Sequence, residues 1–467
     1  MKRLLTLALA LLCVGAAAQN NGGLTPEMLS AISKGWQGTP ADKALRNAIG
    51  QTPLNTLAIN AESAAMPGTE FSDRVRTKGI TDQKSSGRCW LFTGLNVLRA
   101  AAIEKYDLGE FQFSQNYCFF WDQLEKSNLF LQAIIDTRAL PLDSREVDWL
   151  FQHPIGDGGT FTGVANLVTK YGLVPADVMP ETAVANSTAQ MRVHLSNLLR
   201  QDGLRLRDMY EQGMLNAPRG GGRAKKHADE VLALLEKEKL TMLADVYHVL
   251  ALCLGVPPTE FEWKGKVVTP VQFYQDLLGY DLENNYVMLM NDPSREYGKV
   301  YEIQYDRHVY DGQNWLYVNL PVERIKEMAV ASIKAGVAMY FSCDVGKFLD
   351  RKRGVADLNN FDYESLLGVE FTMDKKQRIQ THSSGSSHAM TLIAVDLKEG
   401  KPVKWMVENS WGNTGYKGNV IMTDEWFDEY MFRLVVEKRF VPADVMAMLS
   451  QEPILLPAWD PMFLPEE

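Results

Sequence analysis

Apolar positions recur at helical spacing over residues 89–106. Trp90, Leu91, Leu95, Leu98, Ala101 and Ala102 give a broad apolar face that predicts a buried helix. The polar, Gly-containing stretch 81–88 leads into it as a loop. A second helix is expected over 114–135 with Ser114 as its N-cap. A Gly-rich turn at 155–160 precedes a short helix ending at Tyr171. From 181 to 254 the pattern is almost wholly helical. Two long amphipathic stretches, 191–214 and 224–254, are separated by a Pro/Gly breaker at 217–222. Strand patterns dominate later, in the short apolar or alternating runs 337–343, 389–395, 404–407, 419–422 and 433–438. A helix is expected over 441–449. The segments 22–68 and 453–467 read as irregular.

This pattern divides the chain into an N-terminal arm (19–70), a helical lobe (71–180), a mainly helical insertion (181–335), a β-rich lobe (336–450) and a tail (451–467). Residues 1–18 carry an export signal: Lys2 and Arg3, an apolar run from Leu4 to Val14, and the small residues Ala16, Ala17 and Ala18 as a cleavage site. The apolar run is short of the roughly 20 residues a membrane span needs. Lipid anchoring at Cys13 is disfavoured by the bulky Leu12 before it. The expected location is therefore outside the cytoplasm, periplasmic or secreted, with no membrane attachment after cleavage.

Composition adds limits. A chain of 467 residues, 46% hydrophobic and 23% charged, can bury a full core without disulfide staples. A net charge of −10 argues against nucleic acid as a partner, because such binding relies on Lys and Arg neutralising phosphates. Of the five cysteines, Cys118, Cys253 and Cys343 lie in apolar runs and read as buried small hydrophobes. No metal or cofactor is expected: there is no His-Glu-x-x-His motif, and the seven histidines show no ligand spacing.

Cys89 differs from the other cysteines. It stands where a polar loop meets a buried helix, so its sulfur feels the positive end of the helix dipole, which favours the thiolate. Gln83, six residues earlier, is placed to curl back and form an oxyanion hole with the Cys89 N–H. His388 opens an apolar strand after the polar segment 381–387, where a sheet would hold it at a cleft. His382, in that segment, is the competing histidine and is expected in a loop. Asn409 ends a strand, and its amide oxygen suits the third position of a triad, accepting the His388 ring N–H and fixing the tautomer. Trp411 would cover that hydrogen bond.

Taken singly, a buried structural Cys, a structural His and a strand-ending turn remain open readings of these residues. Taken in the order Gln, Cys, His, Asn, with Asn409-Ser410-Trp411-Gly412 at the end, they resemble the papain-like cysteine peptidases. The branch most similar is the bleomycin hydrolase and bacterial aminopeptidase C family. That resemblance rests on Asp82-Gln83-Lys84-Ser85-Ser86-Gly87-Arg88-Cys89-Trp90, Ser114-Gln115-Asn116-Tyr117, Asp157-Gly158-Gly159, Tyr171-Gly172-Leu173-Val174-Pro175, Cys343-Asp344-Val345-Gly346-Lys347, Ser387-His388-Ala389-Met390 and Leu456-Pro457-Ala458-Trp459-Asp460-Pro461-Met462. It runs from about residue 70 to 462.

The resemblance implies an α+β, papain-like two-lobed fold: a helical lobe plus an antiparallel, β-barrel-like lobe, with a large helical insertion. The insertion explains why Cys89 and His388 lie about 300 residues apart, where ~130–150 is usual. It also implies that Gly158 and Gly159 pair their backbone with an extended peptide substrate, that subunits assemble as a homohexamer, and that the tail enters the cleft with its terminal carboxylate receiving the substrate's α-ammonium. Here the tail departs from the family after Met462 and ends Phe463-Leu464-Pro465-Glu466-Glu467, so Glu467 is the candidate for that contact. An aminopeptidase is the leading expectation. An endopeptidase or dipeptidyl-peptidase of the same fold and a catalytically silent scaffold are the alternatives.

Overall fold

A computed structural model describes residues 22–463 apart from Gln37, Ala64, Asn216 and Arg219. The export signal, Cys13 and Glu467 lie outside the described residues. The chain divides into two units, residues 1–59 and 60–467. The first unit, expected to be irregular, carries the helices Pro26–Ser33, Pro40–Ile49 and Leu54–Leu57. The reason is local. Thr25 and Thr39 each cap a helix whose first residue is proline, and Thr39 with Asp42 closes a capping box. Those start signals outweigh the Gly and Pro punctuation around them.

In the second unit the long helices fall where the hydrophobic period puts them: Cys89–Tyr106, Gln115–Asp136, Phe161–Tyr171, Ala189–Met214 and Gly221–Leu254. Ser114 caps the second, its hydroxyl accepting from the Tyr117 N–H at 3.0 Å. The Cys89–Tyr106 helix is buried on nearly every side. It packs on one side against Phe161–Tyr171 and on the other against the sheet.

The sheet centres on six strands joined antiparallel in the order Tyr286–Met290, Met431–Glu437, Met339–Cys343, His388–Lys398, Lys401–Glu408 and Asn419–Thr423. Two cores result. One, with Leu95, Phe119, Phe161 and Leu195, lies among the helices. The other, with Leu289, Phe341, Ile393 and Leu434, lies within the β-rich lobe. This is the α+β, papain-like two-lobed fold with a long helical insertion. No helix among the described residues is long and apolar enough to cross a membrane.

Within 181–335, expected to be mainly helical, the helical character is concentrated in Ala189–Met214 and Gly221–Leu254. Residues 286–319 instead supply three strands, Tyr286–Met290, Val300–Ile303 and Leu316–Asn319. A five-residue apolar run such as Tyr-Val-Met-Leu-Met carries no period that separates strand from helix. Partner strands on either side decide it. The tail is likewise not wholly irregular. Ile454–Leu456 adds a parallel strand beside Val300–Ile303.

Candidate active site

Cys89 is the first residue of its helix and is fully buried. The preceding loop is fixed by bonds that use nearly every polar group in it. Gln83 N donates to Ser410 O at 2.8 Å, and Ser86 Oγ donates to Gln83 O at 2.6 Å. Lys84 takes a left-handed backbone, φ 54°, which turns the loop back on itself. Arg88, with no exposed surface, lies between the Phe92 and Phe119 rings and makes a two-pronged pair with Glu181, at 3.1 and 2.8 Å. Sequence reasoning gave Arg88 no role. A charged residue next to the candidate nucleophile was the available signal.

His388 opens its strand opposite Cys343 and is buried. The backbone N–H of the next residue, Ala389, points at Cys89 Sγ at 3.5 Å, which brings the sulfur beside the start of that strand. His388 Nε2 is 2.9 Å from Asn409 Oδ1. The Ser410 N–H donates to the same Asn409 oxygen at 2.8 Å. A backbone amide can only donate, so the Asn409 atom facing it is the oxygen. The histidine nitrogen facing that oxygen therefore carries the proton. The neutral tautomer is thus Nε2–H, and Nδ1 is the nitrogen able to accept a proton. Trp411 lies over this pair, its ring centre 4.8 Å from the imidazole. His382 is exposed on a loop, as expected.

Gln83 is joined to the same group. Ser410 Oγ donates to Gln83 Oε1 at 2.6 Å, and Gln83 Nε2 donates to Ser86 O at 2.7 Å. A short chain of contacts thus links Gln83 to Ser410, Ser410 to Asn409, Asn409 to His388, and the residue after His388 to Cys89. The loop 409–412 approaches the loop 81–83 closely. At Gly412, φ 61°, the left-handed backbone favours glycine, and a Cβ would lie 2.8 Å from Asp82 Oδ2.

Gly158 and Gly159 are buried and line a cavity of about 510 Å³, together with Trp149, Tyr305, His308 and Phe463. The absent side chain at Gly159 has an internal reason. A Cβ there would lie 2.2 Å from His308 Cε1 and 2.8 Å from Trp90 Cδ2. Phe463 reaches this cavity because the tail is held just before it. Arg433 donates to Met462 O at 2.6 Å, and Arg295 pairs with Asp460.

Glu408, directly before Asn409, pairs with Arg99 on the Cys89 helix, both buried. Burial raises the Glu408 carboxyl, with Arg99 opposing. The pair ties the strand that positions Asn409 to the helix that positions Cys89. Neither residue was singled out by sequence. Cys118 and Cys343 are buried, Cys253 is half-buried, and among the described residues none of the three is in a disulfide. Burial pushes the Cys118 thiol up, away from reactivity.

The model of the Peptidase C1-like family matches residues 23–463. Bleomycin hydrolase of Mus musculus is 38% identical over 468 residues, covering 95% of this chain and 99% of its own. Aminopeptidase C of Lactobacillus delbrueckii subsp. lactis is 36% identical over 408 residues, covering 84% and 87%. Among solved structures, the crystal structure of PepW from Lactobacillus rhamnosis HN001 superposes with a TM-score of 0.87 at 34% identity, covering 95% of this chain and 99% of its own.

Proposed function

The chain belongs to the Peptidase C1-like family and is a cysteine peptidase; we propose that it is an aminopeptidase that uses Cys89 as nucleophile and His388 as base. The observation that carries the assignment of roles is the bond from His388 to Asn409, with the N–H of the adjoining Ala389 on the Cys89 sulfur. His388 Nε2–H is committed to Asn409, so Nδ1 is the nitrogen that takes the Cys89 proton. The thiolate attacks the scissile carbonyl. The oxyanion is held by the Cys89 N–H and by the second amide hydrogen of Gln83, whose first is held by Ser86. His388 protonates the leaving amine, and water with His388 as base then hydrolyses the thioester. Trp411 shields the His388–Asn409 bond from water. Gly158 and Gly159 supply backbone for an extended peptide.

Release of N-terminal residues is supported by the relatives named aminopeptidase C and aminopeptidase G. It is also supported by the anchoring of the tail at Asp460 and Met462, which brings Phe463 to the cavity beside Gly158 and Gly159. On this reading the terminal carboxylate of Glu467 receives the substrate's α-ammonium. Export is supported by residues 1–18, and hexameric assembly by the family resemblance. The test compares free and N-acetylated peptides with wild type and Cys89→Ser. Free peptides should be cut one residue at a time, acetylated ones spared, and the variant inert. Equal cleavage of acetylated peptides would make the enzyme an endopeptidase. Full activity of Cys89→Ser would reject the nucleophile.

A further inference from the structure

A buried charge cluster lies against the Gly156–Gly159 segment, and the chemistry above makes no use of it. Asp122 and Lys126 stand one turn apart on the Gln115–Asp136 helix, with Nζ 2.9 Å from Oδ2. Asp122 has no exposed surface. Its other oxygen lies 2.5 Å from Nδ1 of buried His308. Burial alone would raise the Asp122 carboxyl, but Lys126 and His308 outweigh it and hold it below its ordinary value. Burial and the nearby ammonium hold His308 below its own. The pair is therefore a neutral imidazole donating Nδ1–H to a carboxylate.

The Lys126 ammonium has three hydrogens and three acceptors: Asp122, Gly156 O at 3.0 Å and Gly158 O at 2.6 Å. It also lies 5.3 Å over the ring of Trp90, the residue after Cys89. Trp90 Nε1 donates to the carbonyl between those two, Asp157 O, at 2.7 Å. Three successive carbonyls, 156 to 158, are thus each held by a side chain. His308 fills the space behind Gly159.

Stability alone does not explain such a cluster, because buried ion pairs are commonly matched or bettered by apolar residues of the same volume. Orientation does. In a trans peptide the C=O and N–H point in opposite directions. With the Gly158 carbonyl turned onto Lys126, the Gly159 N–H points away from Lys126. We propose that Lys126, braced by Asp122 and His308, is a positioning residue that fixes the peptide planes of 156–159 for pairing with the substrate main chain. The proposal rests on the substrate-binding reading of Gly158 and Gly159 given above.

The test uses the full-length enzyme carrying Lys126→Met, and a second variant, Asp122→Asn with Lys126→Met, that leaves no unpaired buried charge. Three quantities are read: kcat, KM for an unblocked peptide, and the rate at which iodoacetamide alkylates Cys89. Iodoacetamide needs the thiolate but no main-chain pairing. KM should rise about 10-fold or more, with kcat and alkylation within about 3-fold of wild type. KM within 2-fold of wild type in either folded variant would overturn the proposal. So would a parallel fall in kcat and alkylation, which would place the effect on the Cys89 helix through Trp90. If neither variant folds, the cluster is a folding element and the positioning role fails. Failure of the underlying peptidase roles is seen separately, as retained turnover by Cys89→Ser.

Discussion

Asn409→Ala is the perturbation that bears most directly on the assigned roles. The Asn409 oxygen receives two donors, His388 Nε2–H at 2.9 Å and the Ser410 N–H at 2.8 Å, and all three groups are buried. Truncation removes the acceptor without opening the site, because Trp411 still covers the imidazole. A hydrogen bond to a group that becomes charged is worth about 1.5–3 kcal/mol, so kcat/KM should fall by about 10- to 150-fold at neutral pH. The buried Ser410 N–H loses its partner too, which costs the fold a further ~1–3 kcal/mol. The bond to Asn409 favours the imidazolium over the neutral ring, so its loss lowers the His388 pKa. The thiolate–imidazolium pair then survives over a narrower range, and the alkaline limb of the pH–rate profile moves down. The assay is steady-state hydrolysis of an unblocked aminoacyl substrate across pH 5–9, with thermal melting to confirm folding. A loss below 3-fold, with an unmoved alkaline limb, would refute the view that Asn409 sets the tautomer of the base.

Two further predictions concern stability. Burial, with Asp245 nearby, pushes the Asp202 carboxyl up to about 6, and its Oδ2 has no hydrogen-bond partner among the described residues. A carboxyl raised in the folded state contributes stability that is full below the unfolded value of about 4 and is lost as pH rises through 6. Asp202→Asn should therefore stabilise the protein by up to ~3 kcal/mol at pH 7 and by almost nothing at pH 4; equal effects at both pH values in chemical denaturation would contradict this. Arg99→Met should destabilise by about 3–5 kcal/mol, because Glu408 is left buried and unpaired. The double change with Glu408→Met should recover most of that loss, and a double variant no more stable than the single would show that the pair is not the cause.

The parts of this molecule that could be read from its sequence share a position in the fold. Cys89 begins a helix, His388 begins a strand, Asn409 follows one, and Gln83 lies in the loop ahead of Cys89. At such boundaries polar residues interrupt an apolar pattern, and the interruption is visible in one dimension. The buried charged residues of the surrounding structure lie elsewhere in the pattern. Asp122 and Lys126 are mid-helix, Arg99 is mid-helix, and Glu408 closes a strand directly after the apolar run Trp405-Met406-Val407. A charged residue inside a helix reads as a solvated face, because nothing local says that a second helix or a glycine loop will cover it.

The Asp122 carboxylate is met by Lys126 from its own helix and by His308, distant in sequence, which arrives behind Gly159. The same reasoning explains the strand Tyr286–Met290, whose partner Met431–Glu437 lies more than a hundred residues away. It also separates two kinds of glycine that look alike in sequence. Gly412 is required by its own backbone turn and by Asp82, which belongs to a motif already legible. Gly159 is required by His308 and Trp90, a contact between residues far apart in the sequence. The candidate catalytic residues are thus marked by local contrast, while the buried charges around them come together only in the tertiary fold, and for that burial a single sequence carries no local signature.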